Sequence, residues 1–352
     1  MNKNSFILKG REISSKNPPY IIAEISANHN GSIQRAVETI DAAKNSGVDA
    51  VKIQTYTPDT MTIDISSSDF LIHDGLWKGR TLYELYGEAY TPFEWHQKLF
   101  DHANKIGITL FSSPFDETAV DLLQSLNAPA YKIASFELVD LPLIKYIAKM
   151  NKPMLMSTGM ASMYEIREAI KTAKGSGCEN LLIFHCISSY PAPLNQANIH
   201  AIKVLKEEFN VEVGLSDHTI GNLASIVATS LGATAIEKHF TLSRKDGGVD
   251  STFSLEPNEM ATLVKETKEA HSALGNTNKI RSDSEKNNLI FRRSLYFVKD
   301  IKKGENISEK HVRRIRPGYG LKAKYYEEVI GSVCLKDARK GDRVNFEHFK
   351  KL

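Results

Sequence analysis

Eight short runs rich in apolar and β-branched residues recur along the first two-thirds of the chain, at residues 21–25, 50–54, 108–112, 130–134, 153–157, 181–185, 211–215 and 233–237. Between them the period changes from that of a strand to that of a helix. Ile33, Val37, Ile40 and Ala43 fall on one face of a helix over 33–46 that stops at Gly47, and the stretches 118–126, 163–173 and 223–231 behave alike. Strand followed by helix, eight times over, is the alternation a closed parallel barrel requires, so the fold class is α/β, with a (β/α)8 TIM barrel.

Two stretches depart from this rhythm. Residues 57–94, between the second and third strands, carry Gly75, Trp77 and Gly79 before a helix that opens near Thr91-Pro92-Phe93-Glu94. So long a connection on the catalytic face reads as an active-site lid or a subunit contact, the alternative being a solvated insertion. Past the last helix, residues 274–288 are polar and turn-rich, and from Arg293 onward short strand-like pieces are separated by Lys303-Gly304, Pro317-Gly318, Gly320 and Lys340-Gly341. The expected division is a barrel domain over 1–273, a linker over 274–288 and a small, mostly β domain over 289–352.

Composition narrows the function classes. The chain has 352 residues and a formal charge of +3, which hides an asymmetry: residues 285–352 hold 18 Lys/Arg against 9 Asp/Glu, residues 1–284 hold 27 against 33. The basic residues lie scattered in turns, so attraction to the acidic body is preferred over nucleic acid as a partner. Three cysteines, Cys178, Cys186 and Cys334, are too few for a disulfide framework, and Cys186 reads as a buried strand residue. No apolar run reaches membrane-spanning length and no signal peptide opens the chain, so a soluble cytoplasmic protein with no membrane partner is expected.

Polar residues cluster where the strands end, which in this fold is where a pocket forms. In strand order they are Glu24 and Asn28-His29-Asn30; Lys52 and Gln54; Ser112 and Ser113; Lys132, Ser135 and Glu137; Ser157; His185, Ser188, Ser189 and Tyr190; Ser216, Asp217 and His218; Glu237 and His239. His218 and His239, on consecutive strands, could hold a divalent metal over the pocket with most coordination positions open, or serve as hydrogen-bonded rim residues. An ammonium inside an apolar strand is costly without an anion, so Lys52 and Lys132 point to a multiply charged ligand, or to salt bridges with Glu24 or Glu137. Hydroxyls of Ser113, Ser135, Ser157 and Ser216 suit phosphate or carboxylate oxygens. No GxGxxG, P-loop or GxSxG motif is present, which argues against nucleotide cofactors and serine-hydrolase chemistry.

Taken together, Ala23-Glu-Ile-Ser-Ala-Asn-His-Asn-Gly31, Val51-Lys-Ile-Gln54, Tyr131-Lys-Ile-Ala-Ser135, Ser157-Thr-Gly-Met160, Gly214-Leu-Ser-Asp-His-Thr219, Glu237-Lys-His-Phe-Thr241 and Arg316-Pro-Gly318 resemble the sialic acid (nonulosonic acid) synthase family, whose members condense phosphoenolpyruvate with an amino sugar. The resemblance implies a barrel followed by an antifreeze-like (SAF, β-clip) domain, and a domain-swapped homodimer in which Arg316 enters the partner's barrel. It implies that His218 and His239 bind a divalent metal, Mn2+ with Mg2+ or Co2+ as alternatives, and that Glu24 is the acid/base. Lys52, Lys132, Ser113, Ser135, Ser157 and Ser216 would cradle phosphoenolpyruvate, with Gln54, Glu137, Ser188, Tyr190 and Asp250 toward the substrates. Ser188 stands where N-acetylneuraminate synthases carry Asn. The segments Gly247-Gly-Val-Asp-Ser-Thr-Phe-Ser-Leu-Glu-Pro257 and Leu76-Trp-Lys-Gly-Arg-Thr-Leu-Tyr-Glu-Leu-Tyr86 look like those of family members that use 2,4-diacetamido-2,4,6-trideoxy-L-altrose and make pseudaminic acid. A sugar without a 6-hydroxyl favours apolar contacts such as Trp77 or Tyr83. The alternatives are N-acetylneuraminate or legionaminate as product, or a non-catalytic protein that binds a surface or polymer.

Overall fold

The computed structural model describes residues 5–275 and 282–350. Eight parallel strands close into a barrel in sequence order: β3 (Tyr20–Glu24), β4 (Ala50–Thr55), β5 (Thr109–Pro114), β6 (Tyr131–Ile133), β7 (Met154–Ser157), β8 (Leu181–Cys186), β9 (Glu212–Asp217) and β10 (Ala235–His239), with β10 pairing back onto β3. Each lies within two residues of a run expected from the sequence. Helices α1 (Ile33–Asn45), α4 (His96–Ile106), α5 (Glu117–Ser125), α6 (Leu141–Ala148), α7 (Met163–Gly175), α8 (Ala201–Phe209), α9 (Leu223–Ser230) and α10 (Pro257–Ala273) follow the strands. Their starts are capped by short polar side chains, Ser32 on α1, Asp116 on α5 and Ser162 with Glu165 on α7, which take up N–H groups that the first turn leaves open.

Alternation along the strands builds two apolar layers. Outward residues such as Ile21, Ile53, Ile133, Ile183 and Ile236 pack beneath helix residues such as Ile40, Leu99, Ile144 and Leu263, each fully buried Leu or Ile contributing ~1.5–3 kcal/mol. Inward residues Ile22, Phe111, Leu155, Leu182 and Phe184 fill the barrel. Gly214 leaves space for this filling, because a Cβ there would stand 2.6 Å from both the Phe184 ring and the Ala235 carbonyl oxygen.

A hairpin that the sequence reading missed, β1 (Phe6–Leu8) and β2 (Arg11–Ile13), turns through Lys9 and Gly10, both at positive φ as a tight two-residue hairpin turn demands. Its Phe6, Leu8 and Ile13 share one cluster with Tyr20, Ala50, Ala130 and Ala235 at the starts of the strands, so they plug the end of the barrel opposite the strand-end polar residues. The connection between β4 and β5 is structured rather than a bare loop. It holds α2 (Pro58–Met61), a bridge between Leu71 and Thr81, and α3 (Leu82–Ala89), capped reciprocally by Thr81 and Glu84.

The chain divides into two compact units, Met1–Leu274 and Gly275–Leu352. Part of the expected linker, residues 276–281, lies outside the described residues; its far end enters a 3-10 turn at Asp283–Phe291. In the second unit β11 (Ser294–Phe297) and β12 (Val312–Ile315) pair antiparallel, and isolated bridges such as Tyr296–Arg343 and Ile301–Ala338 replace longer strands; a short helix, α11 (Tyr326–Val329), completes it. Gly304, Gly331 and Gly341, all at positive φ, turn the chain between those bridges. Leu295, Phe297, Val312, Val329 and Val344 form its separate core. No helix among the described residues is long and apolar enough to cross a membrane.

Candidate active site

At the carboxyl ends of the strands the barrel interior changes from apolar to charged within one layer. Glu24, Lys52, Lys132 and Glu237 stand there, at most 4% exposed. Lys132 Nζ donates to both oxygens of Glu237, at 3.0 and 3.1 Å, and lies 4.8 Å from the centre of the Phe184 ring beneath it. Lys52 Nζ contacts the Glu24 carboxylate, lies 3.6 Å from Glu237 and donates to Ser113 Oγ at 3.2 Å. Ser216 Oγ donates to Glu237 at 3.2 Å, and the Ser26 backbone N–H donates to Glu24 at 2.8 Å. Both lysines are therefore paired. The partner of Lys132 is Glu237 rather than Glu24 or Glu137, which corrects the pairings considered from sequence.

The four groups titrate differently because their neighbours differ. Burial raises the Glu24 carboxyl to about 7, despite Lys52 beside it. Burial acts on Glu237 in the same sense, but Lys132 and Lys52 outweigh it and bring it below the ordinary carboxylate value. Burial opposes the Lys52 ammonium, yet Glu237 and Glu24 hold it above its ordinary value, whereas Lys132 falls below because Glu237 only partly offsets burial. One carboxyl of the cluster can thus exchange a proton near neutral pH while the other stays ionised.

Above this layer the His218 and His239 rings stand 5.5 Å apart, centre to centre. His218 Nδ1–H donates to the Ile187 carbonyl oxygen at 2.9 Å, which fixes the tautomer and leaves Nε2 as a lone-pair donor. His239 Nδ1 is buried and has no hydrogen-bond partner among the described residues. Burial lowers His218 to about 4 and His239 well below its ordinary value, so both rings are neutral. Neutral, partly unsatisfied imidazoles on neighbouring strands fit a divalent cation. No group of three or more His, Cys, Asp or Glu that could hold a metal occurs among the described residues; the two rings alone would leave most coordination positions of a cation open.

The remaining expected site residues are spread over several places. Ser135 Oγ accepts the Gly159 N–H at 3.2 Å and lies 3.0 Å from Cys186 Sγ, with Ser188 Oγ 3.7 Å from the same sulfur; the Ser157 hydroxyl is buried without a hydrogen-bond partner among the described residues. Gln54 sits in register with Ser113 on β5. Tyr190 stacks 4.4 Å from His218 and 5.3 Å from Phe253, with Trp77 at 6.2 Å, and the Trp77 indole donates to the Val249 carbonyl oxygen at 3.2 Å. Asp250 accepts from Ser26 Oγ and lies 3.9 Å from His239 Nδ1. Glu137, just past β6, has a buried oxygen without a hydrogen-bond partner among the described residues and is raised to about 7 by burial. Arg316 is exposed, directly after β12 in the second unit.

Several sequence assignments change. His185 and Asp217, counted with the pocket, point away from it: His185 donates to the Ala197 carbonyl oxygen at 2.8 Å and lines a separate groove of about 480 Å3 with Met160, His200 and Val204, while Asp217 pairs with Lys238. Tyr83 donates to Asp59 within the β4–β5 connection, and Phe253, with Tyr190, packs edge-on against His239. Cys186, buried as expected, belongs to the Ser135–Ser188 cluster. Glu237 was visible among the strand-end residues but not singled out, although its two-residue offset from His239 puts both on one face of β10.

The NeuB family matches residues 39–279, and the SAF domain matches residues 292–350. The chain belongs to the NeuB family. It is 45% identical over 331 residues to a pseudaminic acid synthase of Campylobacter jejuni, covering 94% of this chain and 96% of that one. It is 44% identical to the pseudaminic acid synthase of Helicobacter pylori, covering 91% and 94%. The crystal structure of an N-acetylneuraminic acid synthetase from Leptospira borgpetersenii, in complex with citrate, superposes with a TM-score of 0.74 at 29% identity over 82% of this chain and 95% of that one. The NeuB assignment makes the chain an enzyme of the sialic-acid-synthase type, with its SAF domain at the carboxyl end.

Proposed function

We propose that this NeuB protein condenses phosphoenolpyruvate with 2,4-diacetamido-2,4,6-trideoxy-L-altrose to give pseudaminic acid and phosphate. The observation that carries the reading is the Glu24–Lys52–Lys132–Glu237 cluster beneath His218 and His239, in a chain this similar to pseudaminic acid synthases. C3 of phosphoenolpyruvate attacks the open-chain sugar aldehyde, water adds at C2, and phosphate departs with cleavage of the C2–O bond. Lys52 and Lys132 bind the carboxylate and phosphate charges, and Ser113, Ser135, Ser157 and Ser216 donate to their oxygens. Glu24, raised to about 7 by burial, gives a proton to the aldehyde oxygen as the new hydroxyl forms, or takes one from the attacking water. A divalent metal on His218 and His239, Mn2+ with Mg2+ or Co2+ as alternatives, would supply Lewis-acid polarisation of the aldehyde.

Gln54, Glu137, Ser188 and Asp250 are the polar contacts to the substrates. Tyr190, Phe253 and Trp77 form the apolar wall that a 6-deoxy sugar calls for. The protein works as a cytoplasmic homodimer in which Arg316 of each chain completes the other's pocket, the basic second unit docking on the acidic barrel. Phosphoenolpyruvate carrying 18O at the bridging C2–O position tests the chemistry: the label should leave with phosphate, and its retention in the sugar product would contradict the proposed cleavage.

A further inference from the structure

On the face of β9 and β10 opposite the histidines, Asp217 and Lys238 form an ion pair 2.9 Å long, both side chains 1% exposed. Their places in sequence matter: Asp217 immediately precedes His218, and Lys238 immediately precedes His239. Asp217 is held from several directions, Oδ1 accepting the Thr219 backbone N–H and hydroxyl, each at 2.8 Å, and Oδ2 accepting Ser225 Oγ from α9 at 2.6 Å. Lys238 donates to the Thr219 carbonyl oxygen as well. The segment that carries His218 is thus tied on both sides to α9 and to the strand that carries His239. A buried ion pair is weak evidence of stabilisation, because apolar residues of similar volume commonly hold a core at least as well; what such a pair does supply is one fixed geometry.

We infer that the Asp217–Lys238 pair is a positioning device for a divalent-cation site, setting the separation and orientation of His218 and His239 from behind. The pair touches neither substrate nor cation. Its effect passes through the backbone of the two strand ends; partners hydrogen-bonded directly to metal ligands typically account for 10–100-fold in metal affinity, which sets the scale expected here. This inference rests on the reading of His218 and His239 as metal ligands.

The test is Co2+ binding to the full chain without substrates, followed by the visible absorption of the bound ion, in Asp217→Asn, in the apolar pair Asp217→Leu/Lys238→Met, in His239→Ala, and in Ile147→Ala, a cavity-forming change in α6. The first two should bind Co2+ roughly 10–100-fold more weakly, with an altered absorption band. Ile147→Ala should lose thermal stability and keep its affinity. Wild-type affinity in the pair variants beside lost binding in His239→Ala would overturn the pair's role alone. Wild-type affinity in His239→Ala would overturn the metal reading beneath it. Equal weakening in Ile147→Ala, or failure of both pair variants to fold, would show the pair to be a general requirement of the fold and would overturn the inference too.

Discussion

Replacing Glu237 by Gln removes one negative charge from between two buried ammonium groups and leaves the shape of the side chain intact. In the native site the carboxylate lies 3.0 Å from Lys132 and 3.6 Å from Lys52. At an effective dielectric constant of about 20, those separations correspond to roughly 5 kcal/mol of attraction each, before the cost of desolvation is set against them. Breaking a buried pair by removing one partner typically costs ~3–5 kcal/mol, and deprotonation of Lys132, whose pKa burial already lowers, relieves part of that. Glu237→Gln should therefore lower the midpoint of thermal unfolding of the ligand-free protein by several degrees or more. Phosphoenolpyruvate brings its own negative charges to the same two lysines, so it should raise the midpoint further in the variant than in the wild type. Turnover should still fall, because the lysines are no longer held where the reaction needs them. Differential scanning fluorimetry with and without phosphoenolpyruvate reads both quantities. An unchanged midpoint, or a smaller ligand-induced rise in the variant than in the wild type, would refute the view of this cluster as an anion site whose charges are balanced internally until substrate arrives.

Other consequences follow from the same geometry. A Cβ at Gly159 would stand 2.1 Å from Ser188 Oγ and 2.8 Å from both Ser135 Oγ and Cys186 Sγ, so Gly159→Ala should displace these hydroxyls and cut kcat/KM at least tenfold; near wild-type kinetics would remove them from the substrate site. The Glu24 carboxyl has an ordinary value of 4.5 and sits at about 7 in the fold, so the folded state binds the extra proton and loses relative stability as pH rises through that window. Unfolding of Glu24→Gln, which cannot ionise, should lack this part of the pH dependence, gaining on the wild type above about pH 7 while losing turnover at every pH; an unchanged profile would argue against the raised value. Mixing inactive Arg316→Ala chains with inactive His218→Ala chains should restore activity, since one site of each heterodimer then takes its arginine and its histidines from intact sources. Failure to recover activity despite demonstrated subunit exchange would count against the arginine acting in trans.

The barrel was legible because the strands are compact runs whose outward residues are mostly apolar, and each helix between them repeats at its own period. Hairpin β1–β2 escaped notice because two three-residue strands are too short to display a pattern; only the turn chemistry of Lys9-Gly10 marks it. Lys52 and Lys132 were recognisable as buried cations from their apolar neighbours, but the pairing of Lys132 with Glu237 brings β6 against β10 across the barrel, a tertiary fact that spacing along the chain does not contain. Because of that pairing, a Met in place of either lysine takes a cationic partner away from a buried carboxylate, so stability should fall. His185 and Asp217 were misplaced for a simpler reason. Side chains alternate across a strand, and with Phe184, Cys186 and Ser216 turned inward, residues 185 and 217 must turn out. Trp77 could be connected to the site from sequence only by resemblance, since its approach to Tyr190 depends on how the β4–β5 connection folds back over the barrel.

Turnover of phosphoenolpyruvate with a panel of sugars bears most directly on the central claim. Purified protein supplied with Mn2+ should release phosphate fastest, per unit concentration of sugar, with 2,4-diacetamido-2,4,6-trideoxy-L-altrose, and much more slowly with N-acetylmannosamine or the diacetamido precursor of legionaminic acid, with mass spectrometry identifying pseudaminic acid as the product. A larger kcat/KM for either competing sugar, or no phosphate release from any of them, would contradict the account.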